Sequence, residues 1–253
     1  MQSSRTFVRS LPGELLNDFK ESALACEKIA HLNLLCLRFA LRIGADAIAY
    51  HHLPSIGSGE PIGLNIICVG FPADLVSHFK DNRVVQIDPT IQETLSGGKA
   101  RWWDEPAPPR RRMSKAEREY LEYAASKVGT GLHFPTYGPN GRQGYVSIGF
   151  GPKKPDFSEA EMANIQLYGQ VAHQRYCQLL QEPLNPNVSL SPREREVLSW
   201  VAEGKSNGVI ADILQVSETS VITYLERAFR KLDVDNRVTA ALRASSLGEL
   251  RHR

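Results

Sequence analysis

The segment from Leu190 to Val234 constrains this chain more than any other, because it spells three short helices joined by turns too tight for anything but mutual packing. Ser191 is a good N-cap, Pro192 suits the first helical position, and Glu194 stands three residues past the cap, a full helix-start signature. Val197, Leu198 and Val201 follow, and Gly204 closes that helix. Lys205 and Ser206 lead into a second helix whose Val209, Ile210, Ile213 and Leu214 recur at helical spacing, and Gln215 and Val216 form the next turn. In the third helix, from Ser217, the residues Val221, Leu225, Ala228 and Leu232 fall on one face and predict packing on the first two helices. Thr219, Ser220, Thr223, Arg227, Arg230 and Lys231 are left outside. Short hydroxyls near a helix start and cations near its end suit double-stranded DNA, the former reading base edges and the latter holding phosphates. The plain alternative is a solvated face on a small helical bundle.

Glu194, Leu198 and Gly204, continued by the Ile210-Ala211 pair, Ser217, Ser220-Val221 and Lys231-Leu232, make this segment similar to the DNA-binding domain of LuxR-type regulators. The resemblance implies that Lys205, Ser206, Ser217, Thr219, Ser220, Thr223, Arg227, Arg230 and Lys231 meet DNA. Ile222 and Tyr224 depart from the lysine and histidine common at those places in the family.

Charge alone does not argue for nucleic acid. Net charge is +2 over 253 residues, and from Asn187 onward ten Lys or Arg face nine Asp or Glu. Binding would therefore need the cations gathered on one face and two copies per site. The hydrophobic content of 42% can fill two cores. Cys26, Cys36, Cys68 and Cys177 form no close pairs, which suits reduced thiols in a cytoplasmic protein better than a disulfide scaffold or a zinc site. No metal or cofactor is expected. Nothing at the N-terminus reads as a signal peptide, and the apolar run from Leu32 to Leu41 carries Arg38 and is too short to span a membrane.

Taken in order, the chain predicts two helices from Leu11 to about Arg42, then short strands at Ala47 to Tyr50 and Leu64 to Val69. A helix over Pro72 to Gln86 is broken or restarted at Asp88-Pro89, and a polar run with Gly97 and Gly98 leads to Trp102-Trp103. Residues 105–112 read as an extended loop. Ser114 and Glu117 open a helix to about Lys127; strands through Pro135 and from Tyr145 to Phe150 form a hairpin. Ser158 and Glu161 start a long helix to about Leu180, either covering a sheet or forming a dimer seam. The expected class is α+β: residues 1–181 form an α-β-α sandwich ligand-binding domain, 182–188 a linker, and 189–253 an all-α helix-turn-helix domain.

The resemblance to LuxR-type regulators extends into the first domain. Gly70 through Leu75, Phe79, Asp88-Pro89, Trp103 and Gly131 follow the order of that family's autoinducer-binding motifs. It implies a cavity for an N-acyl homoserine lactone or another small apolar signal, lined by Phe71, Leu75, Phe79, Asp88, Trp103 and Ser147, with Asp88 accepting from the ligand amide. The plain reading of Asp88 is a helix cap, and of Trp103 a core residue. Leu75, Phe71 and Phe79 stand where the family has a tryptophan and two tyrosines, so three hydrogen-bond donors are missing, each worth about 1–3 kcal/mol to a polar ligand. The expected function is a signal-controlled, homodimeric transcription regulator on a two-fold operator, alternatively a LuxR-type solo with a non-lactone ligand or none. A phosphorylated response regulator lacks its acidic pair, because His51-His52 follows the first predicted strand. Enzyme motifs such as Gly-x-Ser-x-Gly or a Walker loop are absent from the sequence.

Overall fold

A computed structural model describes residues 13–59, 66–80, 88–105, 114–184 and 189–250. Contacts divide the chain into two compact units. One comprises Met1–Leu53, Pro61–Gly138 and Gln143–Leu179; the other comprises Pro54–Glu60, Pro139–Arg142 and Leu180–Arg253.

The first unit is an α-β-α sandwich. Its sheet of five antiparallel strands runs in the order β2-β1-β5-β4-β3, with β1 at Ala47–Leu53, β2 at Ile66–Val69, β3 at Arg101–Trp102, β4 at Thr130–Tyr137 and β5 at Gln143–Gly151. Successive strand residues face opposite sides, so β5 sends Val146 and Ile148 one way and Tyr145 and Ser147 the other. Against the first face pack α1 (Gly13–Ala25), α2 (Ile29–Arg42) and α6 (Glu159–Leu184), where the Phe39 and Tyr168 rings stack and Phe19 meets Tyr168 edge-on. Against the second face lie α3 (Ala73–Lys80), α4 (Pro89–Gly97) and α5 (Lys115–Val128).

Capping explains the helix starts. The hydroxyl of Ser114 accepts from the Glu117 amide while Glu117 accepts from the Ser114 amide, and Ser158 and Glu161 repeat the arrangement at α6. The buried Ile165, Tyr168, Tyr176 and Cys177 make α6 a cover for the sheet. It ends at Leu184, beyond the expected Leu180 and inside the expected linker, whose remaining residues 185–188 lie outside the described residues. The helix restarts at Pro89, one of the two outcomes allowed there: Asp88 caps it, and Ile91 and Thr94 turn inward. One other expectation needs correction. β1 runs three residues past Tyr50 and takes in His51 and His52. Parts of the other expected segments, 60–65, 81–87 and 106–113, lie outside the described residues.

The second unit contains α7 (Pro192–Ala202), α8 (Asn207–Leu214), α9 (Glu218–Leu232) and α10 (Arg237–Ser246). Serine hydroxyls cap the first three: Ser191 accepts from Glu194, Ser206 from Val209, and Ser217 from Ser220. Gln215, in the left-handed conformation at φ 53°, ends α8. Val221, Leu225, Ala228 and Leu232 are all buried against Val197, Leu198 and Ile210, as the spacing predicted. The fourth helix was not expected. Its inward residues Ala240 and Ala244 are too small to show as an apolar stripe, although Asn236 caps it.

Candidate functional site

In the sandwich, the sheet face carrying Tyr145 and Ser147 closes with α3, α4 and α5 around a cavity of about 480 Å³. Asp88 lies on its wall, 6% exposed, and also caps α4. Its Oδ1 accepts from the Thr90 amide at 2.9 Å and the Thr90 hydroxyl at 2.6 Å, and its Oδ2 accepts from the Tyr120 hydroxyl at 3.3 Å. Asp88 is therefore a helix cap through one oxygen, and the other oxygen, held by a longer bond, has acceptor capacity to spare. Burial pushes its carboxyl above the ordinary value, against the opposing hydrogen bonds from Thr90 and Tyr120.

Polar groups continue outward from Asp88. With the Thr90 proton on Asp88, Tyr145 donates to Thr90 Oγ1 at 3.2 Å, and the Tyr145 oxygen is 3.4 Å from Nδ1 of His133. Burial, helped by the Arg101 charge, lowers His133 to about 4, so at neutral pH the ring is uncharged and offers one donor and one acceptor. Burial raises Tyr120 and Tyr145 well above the usual phenol range, keeping both hydroxyls protonated as donors. The rest of the wall is largely apolar. Leu75 is 1% exposed, and the Phe71 and Trp103 rings sit 6.3 Å apart. Trp103 lies over Gly131, whose carbonyl accepts from the Trp103 amide at 2.9 Å, and a Cβ at Gly131 would overlap the indole ring.

Of the residues expected at the ligand, Phe71, Leu75, Asp88, Trp103 and Ser147 line this one cavity. The side chain of Phe79 lies outside the described residues. Thr90, Tyr120, His133 and Tyr145 were missed. Strand alternation could have found Tyr145, two residues before Ser147 on the same face, and His133 is the register partner of Ser147. Nothing local in the sequence marks Tyr120.

In the helical unit, α9 presents Thr219, Arg227 and Arg230 exposed and Ser220 and Thr223 half-buried, and Ser206 and Ser217 are exposed at their caps. The Thr223 hydroxyl donates to the Thr219 carbonyl at 2.9 Å, and Ser217 and Ser220 hydroxyls are 2.8 Å apart. Lys205 is half-buried, its carbonyl accepting from Arg237 at 2.6 Å. Tyr224 is not a surface group on this face; it packs against the helical core, while Ile222 is 43% exposed. Lys231 has partners within the unit. Its ammonium donates to Glu194 at 2.7 Å and to the Ser189 carbonyl at 3.1 Å, so its charge is used inside the unit. Glu194 itself is buried; burial alone would raise its carboxyl, but the bonds from Lys231 and Ser191 outweigh that and hold it below the ordinary value. Arg227, Arg230 and Lys231 line one surface hollow with Glu194, which is already paired with Lys231.

Known proteins match on both units. Residues 29–176 match the family described as "Autoinducer binding domain", and residues 188–244 match "Bacterial regulatory proteins, luxR family". The quorum sensing-dependent transcriptional regulator RpaR of Rhodopseudomonas palustris is 30% identical over 209 residues, covering 82% of this chain and 84% of its own. The transcriptional activator AnoR of Acinetobacter nosocomialis is 27% identical over 216 residues, covering 83% and 88%. The fold is that of Escherichia coli SdiA, with a TM-score of 0.73 at 21% identity over 94% of this chain and 99% of SdiA. A structure of SdiA in complex with octanoyl-rac-glycerol matches over the whole of both chains, at 20% identity and a TM-score of 0.73.

Proposed function

The chain belongs to the LuxR family of quorum-sensing transcriptional regulators, with an autoinducer-binding domain ahead of a helix-turn-helix, and on that footing we propose that the Asp88 cavity holds a small acyl signal that controls DNA binding. One observation carries this reading: a buried carboxylate faces a cavity of about 480 Å³ with one oxygen saturated by Thr90 and the other available to a donor. A buried carboxylate is costly unless paired, and an amide N–H of an N-acyl homoserine lactone supplies the partner. Tyr145, Tyr120 and Ser147 are the nearby groups for the carbonyls of such a ligand, and Phe71, Leu75 and Trp103 are apolar surface for its chain.

A second reading has its own support. Leu75 cannot donate to a lactone carbonyl, and the related fold of SdiA accommodates octanoyl-rac-glycerol, an acyl ligand without a lactone. A hydroxyl in place of the amide would serve Asp88 equally well. The two are separated by thermal melting of the full chain with N-octanoyl homoserine lactone and with monooctanoylglycerol. Stabilisation by at least one is expected, and a melting curve unmoved by either, with no small molecule extractable from the purified protein by mass spectrometry, overturns the reading.

At the DNA, Thr219, Ser220 and Thr223 meet base edges, while Arg227, Arg230, Lys205, Ser206 and Ser217 meet phosphates, each half-site taking one copy of a homodimer. The boundary between the regulatory domain and the reader falls at 182–188. We assign no catalytic step to the chain. Among the described residues no helix is long and apolar enough to cross a membrane, and a DNA reader works in the cytoplasm.

A further inference from the structure

On the sheet face opposite the signal cavity, β1 and α6 bring together side chains that the regulatory reading does not use. His52, His173 and Cys177 are all buried, and one potential ligand atom from each lies within 4.8 Å of the others. We propose that these three residues form a binding site for a single cuprous ion.

The local structure dictates the grouping. His173 and Cys177 are four residues apart on α6 and so share one face, with His173 Nε2 3.6 Å from Cys177 Sγ. His52 enters from β1, where strand alternation turns it away from His51 and toward α6, its ring 5.9 Å from that of His173. Tyr50, two residues back on the same face, orients both rings: its oxygen is 2.8 Å from Nδ1 of His173 and 3.2 Å from Nδ1 of His52. When Nδ1–H of His173 donates to Tyr50, Nε2 keeps its lone pair toward the thiol, the arrangement by which a neighbouring group fixes the tautomer of a metal-binding histidine. Gly138 leaves the space clear, since a Cβ there would come within 2.7 Å of His173 Nε2 and 2.8 Å of Cys177 Sγ.

Distance and charge select the ion. Metal–nitrogen near 2.0 Å and metal–sulfur near 2.3 Å put the ligand atoms of a three-coordinate ion about 3.5–3.7 Å apart. The His173–Cys177 pair is already at 3.6 Å, and the three ligand atoms all lie within 4.8 Å of one another. Thiolate and imidazole ligands favour copper or zinc over harder ions. A thiolate with a monovalent ion sums to zero, whereas a divalent ion would leave a net positive charge in a buried apolar layer. Zinc also calls for a fourth ligand, and among the described residues no further His, Cys, Asp or Glu joins the trio. Loading is a ligand exchange without electron transfer: the Cys177 S–H bond breaks, sulfur binds Cu⁺, and the proton leaves to solvent. An apolar cavity of about 280 Å³ reaches His173 and Tyr50 from between α2, α6 and the sheet and gives the ion a way in.

The test uses the full chain under anaerobic, reducing conditions, titrated with cuprous ion in competition with bathocuproine disulfonate. One ion per chain is expected, with a copper-edge absorption spectrum fitted by two nitrogens and one sulfur. Cys177→Ala and, separately, His52→Asn, each checked for native helix content, should weaken binding by at least about 100-fold, and Tyr50→Phe by about 10–100-fold. A purely structural cluster would give none of these changes. A sulfur-only spectrum for the unaltered chain, equal retention by Cys177→Ala through Cys26, Cys36 or Cys68, no stoichiometric binding, or a preference for zinc in the same titration overturns the proposal.

Discussion

Replacing Lys231 by Met separates a role at DNA from a role in the fold. Its ammonium is 2.7 Å from a Glu194 carboxylate whose side chain is 4% exposed, and that carboxylate also accepts from the Ser191 amide at 2.7 Å. Removing the lysine leaves the buried carboxylate with its capping bond but without its cation. A charge-assisted hydrogen bond to a buried group contributes about 1.5–3 kcal/mol. Because the Lys231 side chain is 40% exposed, water can hydrate one side of the gap, so we expect the lower half, about 1.5–2 kcal/mol. For a unit of this size that lowers the melting temperature by about 6–16 °C. Hydrogen exchange of α7 and α9 amides in the full chain reads the loss in this unit alone. The pH dependence follows from the depressed Glu194 carboxyl: its contribution is present above the ordinary value of 4.5 and disappears as pH falls through the lower folded value. Lys231→Met should shrink that acid-sensitive contribution, and pairing it with Glu194→Leu should recover more stability than the two separate losses predict. A variant with unchanged exchange and unchanged acid limb, but weakened operator binding, would refute the internal role and return Lys231 to the DNA contact surface.

Asp88 gives a second separation. Asp88→Asn keeps a good N-cap, whereas Asp88→Ala should cost about 0.5–2 kcal/mol of stability without ligand, measured by denaturant unfolding. The raised carboxyl means that its ionisation costs stability as pH climbs from the ordinary value of 3.8 to the folded value, and Asn removes that cost. Both variants should bind the signal about 10–150-fold more weakly by calorimetry, from losing a charged acceptor worth about 1.5–3 kcal/mol; unchanged affinity would confine Asp88 to capping. Arg227→Ala should weaken operator binding and reduce the slope of log affinity against log salt by about 1, and an unaltered slope would remove it from the phosphates. Gly131→Ala should displace the Trp103 ring, costing about 1–3 kcal/mol and altering near-ultraviolet dichroism; an unperturbed spectrum would contradict the close packing described above.

Wherever a single local rule sufficed, the fold was legible in the chain. The boxes at Ser114, Ser158 and Ser191 each start a helix, because the cap and its returning glutamate are three positions apart and need no tertiary partner. The buried stripe of α9 was legible because Val221, Leu225, Ala228 and Leu232 carry a full helical period. Helix α10 stayed hidden because alanines at 240 and 244 bury little surface. The cavity was legible in part. Asp88 and Trp103 stand out as unusual residue types, but Tyr120 reaches Asp88 from 32 positions away, a proximity that only tertiary packing creates. The same holds for Lys231, which reads as one more surface cation until Glu194 is seen beneath it, and for His52, which meets His173 and Cys177 of α6 only through tertiary packing.

The central strand β5 is a party wall one residue thick. Ser147 and Tyr145 look onto the signal cavity while Val146 and Ile148, their immediate covalent neighbours, look onto the layer held by α2 and α6. A tenant that pushes on one side moves the plaster on the other, since a pleated backbone cannot slide or tilt a single row of side chains. Helix α6 is fastened to that far side, so a displacement of the cavity-facing row has only the width of one strand to cross before it meets that helix.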